Sequence, residues 1–360
     1  MGLRGEIRAI HGRGVNVPAP PKPAAGNHAP RRAPAPAAAR QANVIAPVVA
    51  PLFILAPPRS FTSVVCAMLG EHPQMYGVCE LHLGPARTMA HWWRMCDAAS
   101  FGMADGLLRV IAELRFGGQT AYAIECARGW LRRRAHWTSG YMIEALSRFV
   151  APKVLVEKSP SIVYRIDYMR RTFQMFPQAR FLHLTRHPIA QGRSVMEMVR
   201  VAEQRGPVPY WMLNLASYPY WPKSNGPERN LDPDPQRGWL ALNANICEFL
   251  KCVPPRQQMR VRGEDLLAES DRVLPDVCRW LGIRTDTTAI RAMLHPEHSP
   301  YAGFGPPNAY MGNDGTFMAN PRLRPKRASE PPLGDQVEWP TGVRPLLPAV
   351  KELAGQFGYR

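Results

Sequence analysis

The sequence predicts an α/β fold, with a central parallel sheet covered by helices on both faces. Short apolar runs alternate with longer stretches at helical spacing. The runs Leu52-Phe53-Ile54-Leu55, Val154-Leu155-Val156 and Phe181-Leu182-His183-Leu184-Thr185 are nearly continuous in apolar character. Half-exposed strands would alternate apolar with polar residues. Continuous runs belong to strands buried on both faces, as in parallel sheets.

The elements follow in order. Residues 1–45 carry prolines at 18, 20, 21, 23, 30, 34 and 36 among Ala and Arg. Such a segment buries too little apolar surface to order itself, so a disordered tail is expected there, with a single domain over 46–360. Leu52–Leu55 opens that domain as a strand, and Thr62–Leu69 follows at helical spacing. Amphipathic stretches between about 86 and 150 predict a helical insertion. Val154–Val156 is the next strand, and Ile162–Phe176 reads as a helix. Phe181–Thr185 is a third strand, with helices over Ala190–Arg200 and Leu240–Leu250. Met259-Arg260-Val261 resembles a further short strand. Residues 203–237 and 296–342 are rich in Pro, Gly and Asn and read as long loops.

Composition narrows the function. The 360 residues are 46% hydrophobic and include nine Trp, which suits a packed core. Lys and Arg number 45 against 28 acidic residues, a net charge of +17 of which +6 lies in residues 1–45. That balance favours anionic ligands: phosphate or sulfate esters, nucleic acid or a membrane surface. No RNA- or DNA-binding motif is present, so nucleic acid is not the expected partner. The apolar stretch Val44–Leu55 is broken by Pro47 and Pro51 and is too short to span a bilayer. The first residues lack the apolar run of a secretory leader, and a cytoplasmic location is expected. Seven cysteines (Cys66, Cys79, Cys96, Cys126, Cys247, Cys252, Cys278) form no CxxC pair, and reduced thiols acting as small core residues are expected. His295-Pro296-Glu297-His298 could suggest a metal site, but its composition equally suits a polar surface loop, and no metal is expected.

Three strand ends carry anion-binding chemistry. The first is Pro58-Arg59-Ser60-Phe61-Thr62-Ser63, a turn between strand and helix. Unpaired N–H groups at a helix start bind anions, and hydroxyls with a guanidinium add charge-assisted bonds. Ordinary helix capping by Ser60 or Thr62 would leave the same pattern. The turn lacks the GxxxxGK[ST] spacing of nucleotide triphosphatases. The second is Arg186, with Ser194 eight residues on, about two turns into a helix that Pro188 opens. A kinase would place an acid at that strand end to hold magnesium; here stands a cation. The third is Glu157-Lys158-Ser159-Pro160, where Lys158 could stabilise charge on a leaving phosphate. Ligands in open α/β sheets sit beyond the carboxyl ends of the strands, where Arg59, Lys158 and Arg186 all fall.

With these placed, residues 50–325 resemble the sulfotransferase family, notably its bacterial members and the tyrosylprotein sulfotransferases. The resemblance rests on Ala56 to Ser63, His72-Pro73, Glu80, Glu157 to Pro160, Phe176 to Pro188 and Arg262-Gly263-Glu264-Asp265-Leu266. It implies a P-loop-like three-layer fold and the co-substrate 3′-phosphoadenosine-5′-phosphosulfate (PAPS). Arg59, Ser60, Phe61, Thr62 and Ser63 would form the 5′-phosphosulfate loop, and Arg186 with Ser194 would bind the 3′-phosphate. Glu80, 21 residues after Arg59, matches the general base of relatives that use Glu, with His82 a rival. Lys158 and Arg59 would stabilise the transition state. Gly312-Asn313-Asp314-Gly315-Thr316-Phe317 resembles a C-terminal loop of bacterial members, with no role implied.

Two residues depart from the family pattern. Many relatives have Gly where Phe61 stands, and Arg262-Gly263 replaces the commoner Arg-Tyr. A left-handed backbone at 61 would strain a Phe. The expected reaction moves a sulfuryl group from PAPS to an acceptor hydroxyl, without metal. Its acceptor would be a small molecule, lipid or carbohydrate. The alternatives are a family member that binds PAPS without transfer, a nucleotide kinase of the P-loop type, and a non-enzymatic basic protein. Trp92, Trp93, Trp130 and Trp137, and Tyr210, Trp211, Tyr218, Tyr220 and Trp221, could line an acceptor cleft, although aromatics are more often core. Arg128, Arg132, Arg133 and Arg134 could meet an acidic acceptor or form a solvated helix face.

Overall fold

The computed structural model describes residues 49–99, 102–204, 234–324, 330–339 and 342–360. The tail expected over 1–45, nearly all of the loop expected over 203–237, and its aromatic residues lie outside the described residues.

Five parallel strands form the central sheet: β1 (Leu52–Leu55), β2 (Met75–Gly77), β3 (Val154–Glu157), β4 (Arg180–Thr185) and β5 (Gln258–Arg262), in the order β2-β3-β1-β4-β5. β1 is central, with Phe53 in register with Glu157 on one side and Phe181 on the other. Successive side chains point to opposite faces, and both faces are buried. Phe53, Leu55, Leu155 and Phe181 enter one apolar cluster, while Leu52, Ile54, Val154, Val156, Leu182 and Leu184 enter the other. The continuous apolar runs of the sequence follow directly from this two-sided burial.

α1 (Thr62–Gly70) and the helix Ser270–Leu281 cover the second face. The first is covered by α6 (Ile166–Met175), the helix Pro235–Leu250 and four helices that intervene between β2 and β3. These four are α2 (Met89–Ala99), α3 (Asp105–Phe116), α4 (Ala121–Arg132) and α5 (Ser139–Val150). Thr120 and Thr138 cap α4 and α5 by accepting the backbone N–H of Ala123 and Tyr141, each at 3.1 Å.

The helix expected over Ile162–Phe176 is in fact two pieces. A 3-10 turn, Pro160–Tyr164, ends at Arg165 (φ −140°, ψ 135°), and α6 starts after it. Strand β2 has only three residues and left no sequence pattern long enough to read. Residues 296–342 are not wholly loop, since they hold the helix Gly315–Ala319 and a strand, Gln336–Trp339, that pairs antiparallel with Gly342–Pro345. That hairpin and the helix Pro348–Gln356 pack around Ile189 and Trp239.

Among the described residues no helix is long and apolar enough to cross a membrane. All seven cysteines are free, and burial pushes the Cys66 thiol up to about 12 and Cys79 to about 11. Trp92 and Trp130 are buried in the core. Arg134 lies over the Trp130 ring at 3.8 Å, so it packs on aromatic surface.

Candidate active site

The turn from β1 into α1 runs through two residues with left-handed backbone, Arg59 (φ 66°) and Phe61 (φ 63°). Phe61 thus takes the conformation that favours Gly. The first turn of α1 has no side-chain cap and contains no acidic residue. The helix keeps an uncapped positive end. Ser60 Oγ is buried there without a hydrogen-bond partner, and an incoming anion could accept its proton.

Arg59 Nε donates to Ser194 Oγ on α7 (Pro188–Glu203) at 3.1 Å, and its Nη1 pairs with Asp314. Arg186, just past β4, donates from Nη1 to the Arg59 carbonyl at 2.5 Å. Its Nε is buried without a partner. Arg59 therefore joins the two residue sets that the sequence assigned to separate phosphates. Burial lowers the affinity of both guanidiniums for their protons. For Arg186 the charge of Glu264 opposes this and that of Arg59 adds to it, giving about 10. Both remain cations at neutral pH but are poorly hydrated, which strengthens their attraction to an anion.

Lys158, at the end of β3, is fully buried and donates to Ser63 Oγ at 2.9 Å and to Glu80 Oε1 at 2.6 Å. Glu80 Oε2 lies 3.4 Å from His82 Nε2. Burial alone would raise the Glu80 carboxyl. The charge of Lys158 and the hydrogen bond with His82 outweigh it and hold the group at about 2. The carboxylate is thus ionised at any working pH and keeps 23% of its side chain exposed. His82 is tied into the wall: its N–H donates to Ser159 Oγ at 2.9 Å, and its Nδ1 lies 3.1 Å from Ser161 Oγ. That makes it a partner of Glu80.

The segment around Asp314, to which the resemblance assigns no role, closes this site. The Asp314 N–H donates to Ser63 Oγ at 3.2 Å, and the Glu80 N–H donates to Gly312 O at 2.9 Å. The buried Arg109 of α3 fixes the approach by donating to Gly303 O at 2.8 Å and Met311 O at 2.9 Å. Arg109 is legible as a charge on an otherwise apolar helix face. A second support sits behind Arg186. The His187 N–H donates to Glu264 Oε1 at 2.9 Å, and Tyr359 O–H donates to Glu264 Oε2 at 2.9 Å and lies 3.1 Å from Thr185 Oγ1. Tyr359→Phe strands one buried carboxylate oxygen, so urea melts should show a loss of about 1–3 kcal/mol.

The two departures noted in the sequence meet here. A Cβ on Gly263 would collide with Phe61 Cδ2 and lie 3.2 Å from its Cε2. His295, Glu297 and His298 also come together, with donor atoms within 4.8 Å of one another, on an exposed 3-10 turn packed against α1.

Residues 51–288, well over half of the chain, match the model of the sulfotransferase family. The chain belongs to that family. As a sulfotransferase it is also similar in structure to a sulfotransferase domain from the curacin biosynthetic pathway, at 21% identity. The match covers 86% of this chain and 98% of that one, with a TM-score of 0.64. A sulfotransferase domain of the Synechococcus PCC 7002 olefin synthase matches at 22% identity over 86% of this chain and 94% of that one, TM-score 0.63. Curated proteins yield no match. The family uses PAPS, and membership in it sets aside the nucleotide-kinase reading.

Proposed function

We propose that this sulfotransferase moves a sulfuryl group from PAPS to a hydroxyl of a small molecule, lipid or carbohydrate, with Glu80 as general base. The observation that carries it is the triad Glu80–Lys158–Ser63, closed at 2.6 and 2.9 Å beside the uncapped start of α1. The residues suit the donor. Ser60 Oγ and Arg186 Nε are buried donors without partners, and phosphate oxygens would satisfy both. PAPS supplies an activated sulfuryl group whose departure leaves a phosphate anion. Lys158, Arg59 and the helix start offer positive charge to that anion. Glu80 accepts the acceptor's proton. Arg186 and Ser194 hold the 3′-phosphate.

Radiolabelled PAPS incubated with a panel of hydroxyl compounds tests this. Transfer of label to an acceptor is the expected result. Absence of both transfer and binding of 3′,5′-bisphosphoadenosine (PAP) would overturn the reading. Arg186→Ala should weaken PAP by about 10- to 100-fold and 5′-AMP much less, the scale of a hydrogen bond to a charged group. Calorimetry with both ligands checks it, and equal weakening counts against the assignment. A second reading, binding without transfer, is favoured by the left-handed Phe61 and by the Arg59–Asp314 pair within the phosphate loop. It predicts PAP binding with no labelled product.

A further inference from the structure

We propose that Phe61 and Gly263 form one compensated unit that positions Arg186 toward the 3′-phosphate; this rests on the reading above. Three observations support it. The Arg186 guanidinium carbon lies 4.3 Å from the centroid of the Phe61 ring, within the range of a cation–π contact. The same ring fills the space a side chain at 263 would need, as its Cδ2 and Cε2 stand against the place of the missing Cβ. Gly263 does not have positive φ, so room explains it better than backbone freedom. The Thr185 carbonyl, 3.1 Å from that place, closes the other side.

The geometry gives Phe61 a task that offsets its strained backbone. Arg186 has one nitrogen on the Arg59 carbonyl and one buried nitrogen without a partner. Hydrogen bonding alone therefore leaves its plane free to turn. The Phe61 face fixes that plane, and Gly263 lets the ring reach it. Phe61 is thus a positioning residue, acting through Arg186. A Gly at 61 with a large residue at 263 is the reciprocal solution of the same space.

The test is a double-mutant cycle read by PAP and 5′-AMP binding, without turnover. Phe61→Gly should weaken PAP about tenfold, as expected for a desolvated cation–π contact, and change 5′-AMP by less than about threefold on the same scale. Phe61→Leu keeps bulk but no aromatic face and should lose the same discrimination. Gly263→Tyr should abolish PAP binding beside Phe61 but be largely rescued by Phe61→Gly. If Gly263→Tyr alone does not fold, Gly263→Ala supplies that corner, with a smaller loss beside Phe61 and no added loss in the Phe61→Gly background. Equal loss of PAP and 5′-AMP in Phe61→Gly, or an effect at 263 that ignores residue 61, would overturn the inference alone. A wild-type protein that binds neither ligand would overturn the functional reading with it.

Discussion

Lys158→Met is expected to lower turnover by about 10²- to 10³-fold, the scale for losing one preorganised charge at a transition state. It should also change the pH dependence. In the wild type, Lys158 overcomes the effect of burial on Glu80 and holds its carboxyl at about 2. A group depressed on folding adds stability above its ordinary range, and this is lost as pH falls through the folded value. For Glu80 the window runs from the ordinary 4.5 down to about 2. Without Lys158, burial acts against the weaker His82 contact and the Arg59 charge, and the carboxyl moves up. The acid limb of the kcat/KM profile should therefore rise in Lys158→Met. Melting temperatures should fall most near neutral pH, where an ionised Glu80 is left without its cation. An unchanged pH profile would separate Lys158 from Glu80 and sink the pairing. Glu80→Gln in the Lys158→Met background should recover much of the stability and none of the activity, because it removes the stranded charge.

Glu80→Gln alone should cut turnover by about 10²- to 10⁴-fold while leaving PAP binding near the wild-type value. The amide keeps the shape and can still accept from Lys158, but it cannot take a proton. Single-turnover measurements separate this from a binding defect. Near-normal turnover would remove Glu80 from the role of base. His82 is then the next residue to test, since it lies 3.4 Å from Glu80. With His82 held by Ser159 and Ser161, its substitution should cost less than that of Glu80.

The legible part of this protein was the part written in local pattern. β1, β3 and β4 are apolar on both sides, so their runs stood out. Lys158 and Arg186 follow those runs directly and Arg59 follows after a short turn, so their positions at strand ends could be inferred. β2 was too short to show a period, and the break at Arg165 lies inside a stretch whose helical pattern looked continuous. The partners of the site residues were hidden for a different reason. Asp314 lies 251 residues from Ser63, and Tyr359 lies 95 from Glu264; nothing local encodes such a meeting. Phe61 and Gly263 each looked like a lone departure until the backbone placed them in contact.

The strand order β3-β1-β4 sets three cations on adjacent strands. Lys158, Arg59 and Arg186 leave from neighbouring strands whose separation is fixed by peptide hydrogen bonds. The sheet acts as a ruler with marks about 4.8 Å apart. The outer two cations stand two strand positions, about 10 Å, apart across the sheet, and the register also staggers them along the strands; side-chain repacking in the core does not alter either component. A ligand with one anionic group can satisfy one end of this ruler. A molecule carrying two anions held apart by a spacer, as proposed above, would read its full length.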